Sequence, residues 1–150
     1  MQLSGTERFE QGPQLLWDRL TDLTRFATIL PKLERIDRSE PRLLECRVKP
    51  GLSFLSGTLK LRMEILEEDP ISSARMKITG KGIGASVVVE TSIRLTADTI
   101  GGTQLDWASE VQEIGGLLKP VSRGLIEAAA EKVIADGWEA FRRDLENERA

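Results

Sequence analysis

Apolar and polar positions along the chain follow two periods in a fixed order. Over residues 58–66 they alternate strictly, with Leu59, Leu61, Met63 and Ile65 on one side and Thr58, Lys60, Arg62 and Glu64 on the other. Successive strand side chains point to opposite faces, so this is a half-buried β-strand. Residues 73–79 repeat the pattern with Ala74, Met76 and Ile78 facing one way. Residues 86–95 line up Val87, Val89, Thr91, Ile93 and Leu95, and residues 103–113 line up Leu105, Trp107, Ser109 and Val111. Leu44, Cys46 and Val48 make a shorter inward set upstream. The separators Glu67-Glu68-Asp69-Pro70, Gly80-Lys81-Gly82-Ile83-Gly84 and Asp98-Thr99-Ile100-Gly101-Gly102 are turn material. Short turns between alternating strands predict antiparallel hairpins, and one charged face predicts a sheet covered on one side only.

The cover is supplied by the C-terminus. From about Leu117 the period becomes helical, with Leu118, Val121, Leu125, Ala129, Val133, Gly137, Phe141 and Leu145 recurring every three or four residues. Ile126, Ala130, Ile134 and Trp138 widen the stripe on one flank, and Glu127, Glu131, Asp136, Glu139, Arg143 and Glu146 are expected on the outward face. A helix of about 30 residues would span about 45 Å, enough to cross a small sheet, provided that Pro120 lies in its first turn. At the other end, residues 2–9 read as a strand. Residues 13–30 read as two short helices that open at Pro13 and stop by Leu30, because Pro31 disfavours helical geometry before it. No repeat, linker or low-complexity segment divides residues 1–150, so a single domain is expected.

Composition narrows the chemistry. The chain has no His, no Tyr and one Cys, Cys46. That removes imidazole general bases, His-activated nucleophiles, multi-thiolate metal sites and internal disulfides. Against 24 Asp+Glu stand 21 Lys+Arg, a net charge of -3, without the basic excess of a nucleic-acid-binding domain. The C-terminal third is the acidic part. No apolar run approaches the ~20 residues that span a bilayer, and the N-terminus carries no basic-then-apolar leader, so a cytoplasmic protein is expected.

A strand, a helical pair, a curved antiparallel sheet of about seven strands and a long C-terminal helix make an α+β order. It resembles the helix-grip fold of the START-like (SRPBCC) superfamily. Within that group the sequence is similar to the CoxG-like family, named for the CoxG subunit of carbon monoxide dehydrogenase. The likeness is carried by MQLSGTERFEQGPQLLWDRLTDLTRFATILPKLERI, by ITGKGIGASVVVETSIRLTADTIGGTQLDWASEVQEIGGLL, and by the Gly-Thr-x-Leu step from Gly102 to Leu105 followed by Trp107. Two features depart from the family pattern. The chain ends on a charged stretch, residues 142–149, where relatives can carry an apolar extension suited to a membrane; and Pro120 interrupts the approach to the helix.

The resemblance implies a cavity between sheet and helix holding a lipid, a quinone or a similar apolar molecule, with no covalently bound cofactor. It also implies an accessory role to a molybdenum hydroxylase such as carbon monoxide dehydrogenase. That role would be membrane recruitment, with peripheral contact at the inner face, or delivery of an electron acceptor. The inward residues that would line such a cavity are Leu59, Leu61, Met63, Met76, Ile78, Val87, Val89, Thr91, Leu105, Trp107 and Ser109 from the sheet, and Ile126, Ala130, Val133 and Gly137 from the helix. Small positions at Gly5, Cys46, Ala74, Gly80 and along Gly124–Gly137 either let helix and sheet approach closely or leave space between them.

Glu7 shares a face with Leu3 and Phe9. It is either an inward carboxylate able to serve as an acid or ligand anchor, or a solvated residue on an edge or bulged strand. The alternating glycines at Gly80-Lys81-Gly82-Ile83-Gly84 lie between two strands, so they read as a hairpin turn and not as a phosphate loop. Cys46 has no activator and reads as a buried hydrophobe. Two other classes remain open: a cyclase or hydrolase of the same superfamily using Glu7, and a protein-interaction module with a filled core.

Overall fold

The computed structural model describes residues 1–52, 54 and 56–147; Arg149, at the end of the charged tail, lies outside them. The chain runs β1 (Gln2–Phe9), α1 (Pro13–Leu20), α2 (Leu23–Phe26), β2 (Leu33–Glu40), β3 (Leu43–Val48), β4 (Leu59–Asp69), β5 (Ser73–Gly82), β6 (Ala85–Ala97), β7 (Thr103–Gly116) and α3 (Arg123–Asn147). The strands form one antiparallel sheet in the order β1-β7-β6-β5-β4-β3-β2. It is an α+β helix-grip arrangement of seven strands and a C-terminal helix.

Local chemistry sets the boundaries. Pro13 opens α1, where its missing N–H costs nothing. The Asp22 carboxylate caps α2 by accepting from the N–H groups of Thr24 and Arg25. The turn from β5 to β6 places Ile83 and Gly84 at φ 50° and 75°, a left-handed pair that matches the twist of a tight hairpin. Register shifts at Ile65/Glu67 and Val88/Val89 are bulges that bend the sheet. The second moves the inward set of β7 from Val111 directly to Ile114, which breaks the alternation expected through residue 113.

The helix differs from the sequence expectation in two respects. It starts at Arg123, so Pro120 lies in the preceding turns and not in the first helical turn. Ser122 Oγ accepts from the N–H of Leu125 and fixes that start. Its 25 residues span about 38 Å. Its rotation also favours the flank: Ile126, Ala130, Ile134, Trp138, Phe141 and Leu145 turn toward the sheet, while Leu125 and Val133 are 52% and 55% exposed. Trp138, Phe141 and Leu145 carry most of the apolar area of the stripe, so seating them decides the roll. At 100° per residue, Leu125 and Val133 are then carried away from the sheet.

Candidate binding groove

Buried residues fall into two clusters at opposite ends of the inner face. One joins Leu23 and Ala27 to Leu44, Cys46, Val48, Leu59, Met63, Ala85 and Leu118. The other joins Phe9, Leu16, Trp17, Leu95 and Leu105 to Phe141 and Leu145 of α3.

The C-terminal half of α3 is held firmly by the second cluster. Phe9, Trp138 and Phe141 make a ring cluster with centroids 5.7–6.1 Å apart in edge-on or tilted pairs. The Arg142 guanidinium lies 4.2 Å from the Phe9 ring centroid. It also donates to the Arg8 carbonyl at 3.0 Å and to Glu7 Oε1 at 3.3 Å. Asp144 accepts from Arg25 Nε and Nη2 at 3.1 and 3.2 Å.

The middle of the inner face is packed into neither cluster. Val89, Thr91 and Val111 on the sheet and Ile126, Ala130 and Ile134 on the helix are only half-buried. Gly137 explains part of this: a Cβ placed there would meet nothing within 4 Å. The small residues of the sheet behave differently. At Gly5 a Cβ would come within 2.9 Å of the Trp107 ring, and at Gly80 within 3.1 Å of Val87 Cγ1. Small residues therefore let side chains close on the sheet, while on the helix they leave space.

A groove of about 760 Å³ lies at the β1 edge of the inner face, between β1, Trp107 of β7, and the Ile134, Ala135, Trp138 and Arg142 side of α3; six of its twelve lining residues are charged. A second hollow, about 590 Å³, lies among Glu67, Arg75, Arg94 and Asp106 of β4–β7. These four are outward-facing polar residues, unlike the apolar inner wall.

Polar groups along the inner wall are few. Thr91 Oγ1 and Ser109 Oγ lie 2.8 Å apart and share one hydrogen bond, which leaves a hydroxyl proton free to donate elsewhere. Trp107 Nε1 is buried and meets no acceptor among the described residues. Glu7 combines features of both readings offered by the sequence. β1 is an edge strand, yet Glu7 lies on its inner face, half-buried and paired with Arg142. Cys46 is fully buried, and burial, followed by the charge of Asp37, pushes its thiol up to about 11. A neutral thiol is a poor nucleophile. Among the described residues, no three His, Cys, Asp or Glu side chains gather in a way that could hold a metal ion.

The candidate lining residues divide accordingly. Leu59, Met63 and Leu105 are buried inside the packed clusters. Leu61, Met76, Ile78 and Val87 pack partly against the first cluster and Trp107 against the second. Val89, Thr91, Ile126, Ala130 and Gly137 are half-buried between the two clusters, Ser109 is buried beside Thr91, and Val133 is exposed. Sequence reasoning did not single out Leu3, Ala135 and Arg142 as lining. Arg142 follows Trp138 by one helical turn, a spacing that puts both on one flank.

A family model described as the CoxG subunit of carbon monoxide dehydrogenase matches residues 5–146. No curated protein matches the sequence. Among solved structures, a conserved protein from Geobacillus kaustophilus is similar with a TM-score of 0.87 at 16% identity, covering 98% of this chain and 96% of that one. A START superfamily protein from Mycobacterium smegmatis has a TM-score of 0.70 at 12% identity, with 97% of each chain covered. At these identities the two structures speak for the fold alone.

Proposed function

The chain belongs to the carbon monoxide dehydrogenase CoxG family, and from that premise we propose that it binds a hydrophobic small molecule, a quinone or a lipid, without transforming it. The observation that carries this reading is the unfilled middle of the inner face. An aliphatic wall faces Ala130 and Gly137 of α3 between two packed clusters, and a groove of about 760 Å³ lies at the β1 edge of the same face. That volume is within the range of ordinary ligand sites, with Leu3, Trp107, Ile134 and Trp138 as its apolar part and charged side chains making up half of its lining. The Thr91–Ser109 pair would meet a ligand carbonyl with its spare hydroxyl proton. The Glu7 carboxylate is engaged by Arg142, which favours a fastening role over acid catalysis.

The family description supports a role accessory to a molybdenum hydroxylase such as carbon monoxide dehydrogenase, either recruiting it to the membrane or delivering its electron acceptor. Titration with a short-chain menaquinone or ubiquinone analogue tests the binding step. Trp107 and Trp138 both line the groove, so saturable quenching of tryptophan fluorescence is expected. A response that never saturates, with quinones and with lipids alike, would sink the proposal.

A further inference from the structure

One end of the sheet gathers apolar tips and cations. Leu117 is 63% exposed and Ile83 40% exposed, and both flank Gly84: Ile83 precedes it in the turn, and Leu117 Cδ1 lies 3.2 Å from where Gly84 would carry a Cβ. On the other side of the tip, Ile83 Cγ2 is 3.0 Å from the corresponding position on Gly57, in the β3–β4 connection. Lys81 flanks Ile83 in sequence, and Lys119 and Arg123 follow Leu117; all three are exposed and form no ion pair among the described residues. The β3–β4 connection adds Lys49 and, with its Nζ 3.3 Å from the Cβ position of Gly51, Lys32. The carboxylate among them is Glu34, tied to Lys49 at 3.5 Å and to the Thr58 hydroxyl. The next carboxylates along the chain are Glu113, three residues before the end of β7, and Glu127, one turn into α3. The local charge is positive, opposite in sign to the net charge of -3 of the whole chain.

The backbone at Ile83 is a second, independent sign. Its φ of 50° is left-handed, a conformation that suits Asn, Asp or Gly and penalises a β-branched side chain. Isoleucine is held there, exposed, at the apex of a hairpin. The opposite end of the sheet supplies a natural control. Ile71, at φ 68°, is equally strained and 41% exposed, but it follows Glu67, Glu68 and Asp69.

We propose that the Ile83–Leu117 tip and its surrounding lysines dock on an anionic lipid bilayer, the two apolar side chains entering the headgroup boundary and the cations meeting lipid phosphates. Apolar tips ringed by cations fit that surface in both of its properties, hydrophobic depth and negative potential. This end also holds the start of α3, beside the unfilled middle of the inner face. The inference takes from the reading above only that a membrane is the partner. Flotation of ligand-free protein and quinone titration fail independently of one another.

The test is flotation with phosphatidylcholine vesicles, with and without phosphatidylglycerol. Binding is expected on the anionic vesicles only, and it should be lost at about 1 M salt, where the screening length falls to about 3 Å. Lys81→Glu with Lys119→Glu should weaken partitioning at least about tenfold. Ile83→Asn should weaken it about fivefold and Ile71→Asn by less than about twofold. Both substitutions install a residue that the left-handed geometry favours, so neither loss can be assigned to unfolding. Equal partitioning on neutral and anionic vesicles, no partitioning at all, or an Ile71→Asn loss as large as that of Ile83→Asn would overturn the proposal.

Discussion

Gly102 shows what a single residue contributes to this fold. A Cβ there would lie 2.5 Å from the Phe9 carbonyl oxygen and 2.7 Å from Asp98 Oδ2, so no other residue fits without moving backbone. Its N–H donates to Asp98 Oδ1 at 2.8 Å, closing the β6–β7 turn. The next residue, Thr103, is fully buried and donates its hydroxyl to the Gln11 carbonyl, fastening the exit of β1. Leu105 is fully buried, and Trp107 lies over Gly5 of β1. The Gly-Thr-x-Leu-x-Trp step is thus a clasp between β1 and β7. Gly102→Ala is expected to destabilise the protein by about 2–3 kcal/mol, read as a lower urea midpoint with an unchanged slope. A midpoint equal to the parent's would mean that the turn relaxes freely. The motif was legible in the sequence as a family signature. Its purpose was not, because Phe9 and Gly102 are brought together only by the pairing of Phe9 with Thr103.

At the scale of elements, the strands were legible and the helix only partly so. Strict alternation identifies the inward residues of β3 to β6, and of β7 as far as Val111, because period 2 leaves just two choices of face. A 3.6-residue period leaves a continuous choice of roll, and on α3 two apolar flanks competed. The roll was settled by Phe9, Leu16 and Leu105, residues remote in sequence. β2 poses a different problem. Seven of its eight residues, LERIDRSE, are exposed, so no apolar pattern announces it; it pairs with β3 through the backbone, and ion pairs run along it. Hydrogen bonding from Arg47, with the charges of Arg47 and Arg35, holds the Asp37 carboxyl below its ordinary range. The Thr58 hydroxyl, then Lys49, does the same for Glu34. A depressed carboxylate adds stability that is complete above its unfolded value, near 4, and is lost as pH falls through the lower folded value. The β2 edge should therefore loosen below about pH 4, while stability stays flat from pH 5 to 8, where a chain without His has no side chain that ordinarily titrates. Thermal melts across this range check both parts. Asp37→Asn should lower the melting temperature at pH 7 and flatten the acid limb; an unchanged acid limb would place the loss elsewhere.

At the scale of the whole molecule, the absence of His and Tyr and the unfilled middle of the fold bear on the same question. A carrier needs volume that the chain does not fill itself, at a cost in packing that a bound molecule offsets. Gly137 is the position where that exchange can be measured. Its Cβ site is empty, and it sits between Ala130 and Phe141 on the sheet-facing side of α3. Gly137→Ala places one methyl in open space and removes a helix-interior glycine, so a gain of about 0.5–1 kcal/mol is expected. Gly137→Leu extends into the volume proposed for the ligand. If that volume is the binding site, this variant keeps a melting temperature at or above that of the parent yet binds a quinone analogue at least about tenfold more weakly. The parent itself should gain about 2.7 kcal/mol at a ligand concentration a hundredfold above Kd, a rise in melting temperature of about 5–10 °C that Gly137→Leu lacks. A Gly137→Leu protein that is equally stable and binds with parental affinity would move the ligand out from beneath α3. The outward-facing hollow around Arg75 and Arg94 would then be the next place to examine.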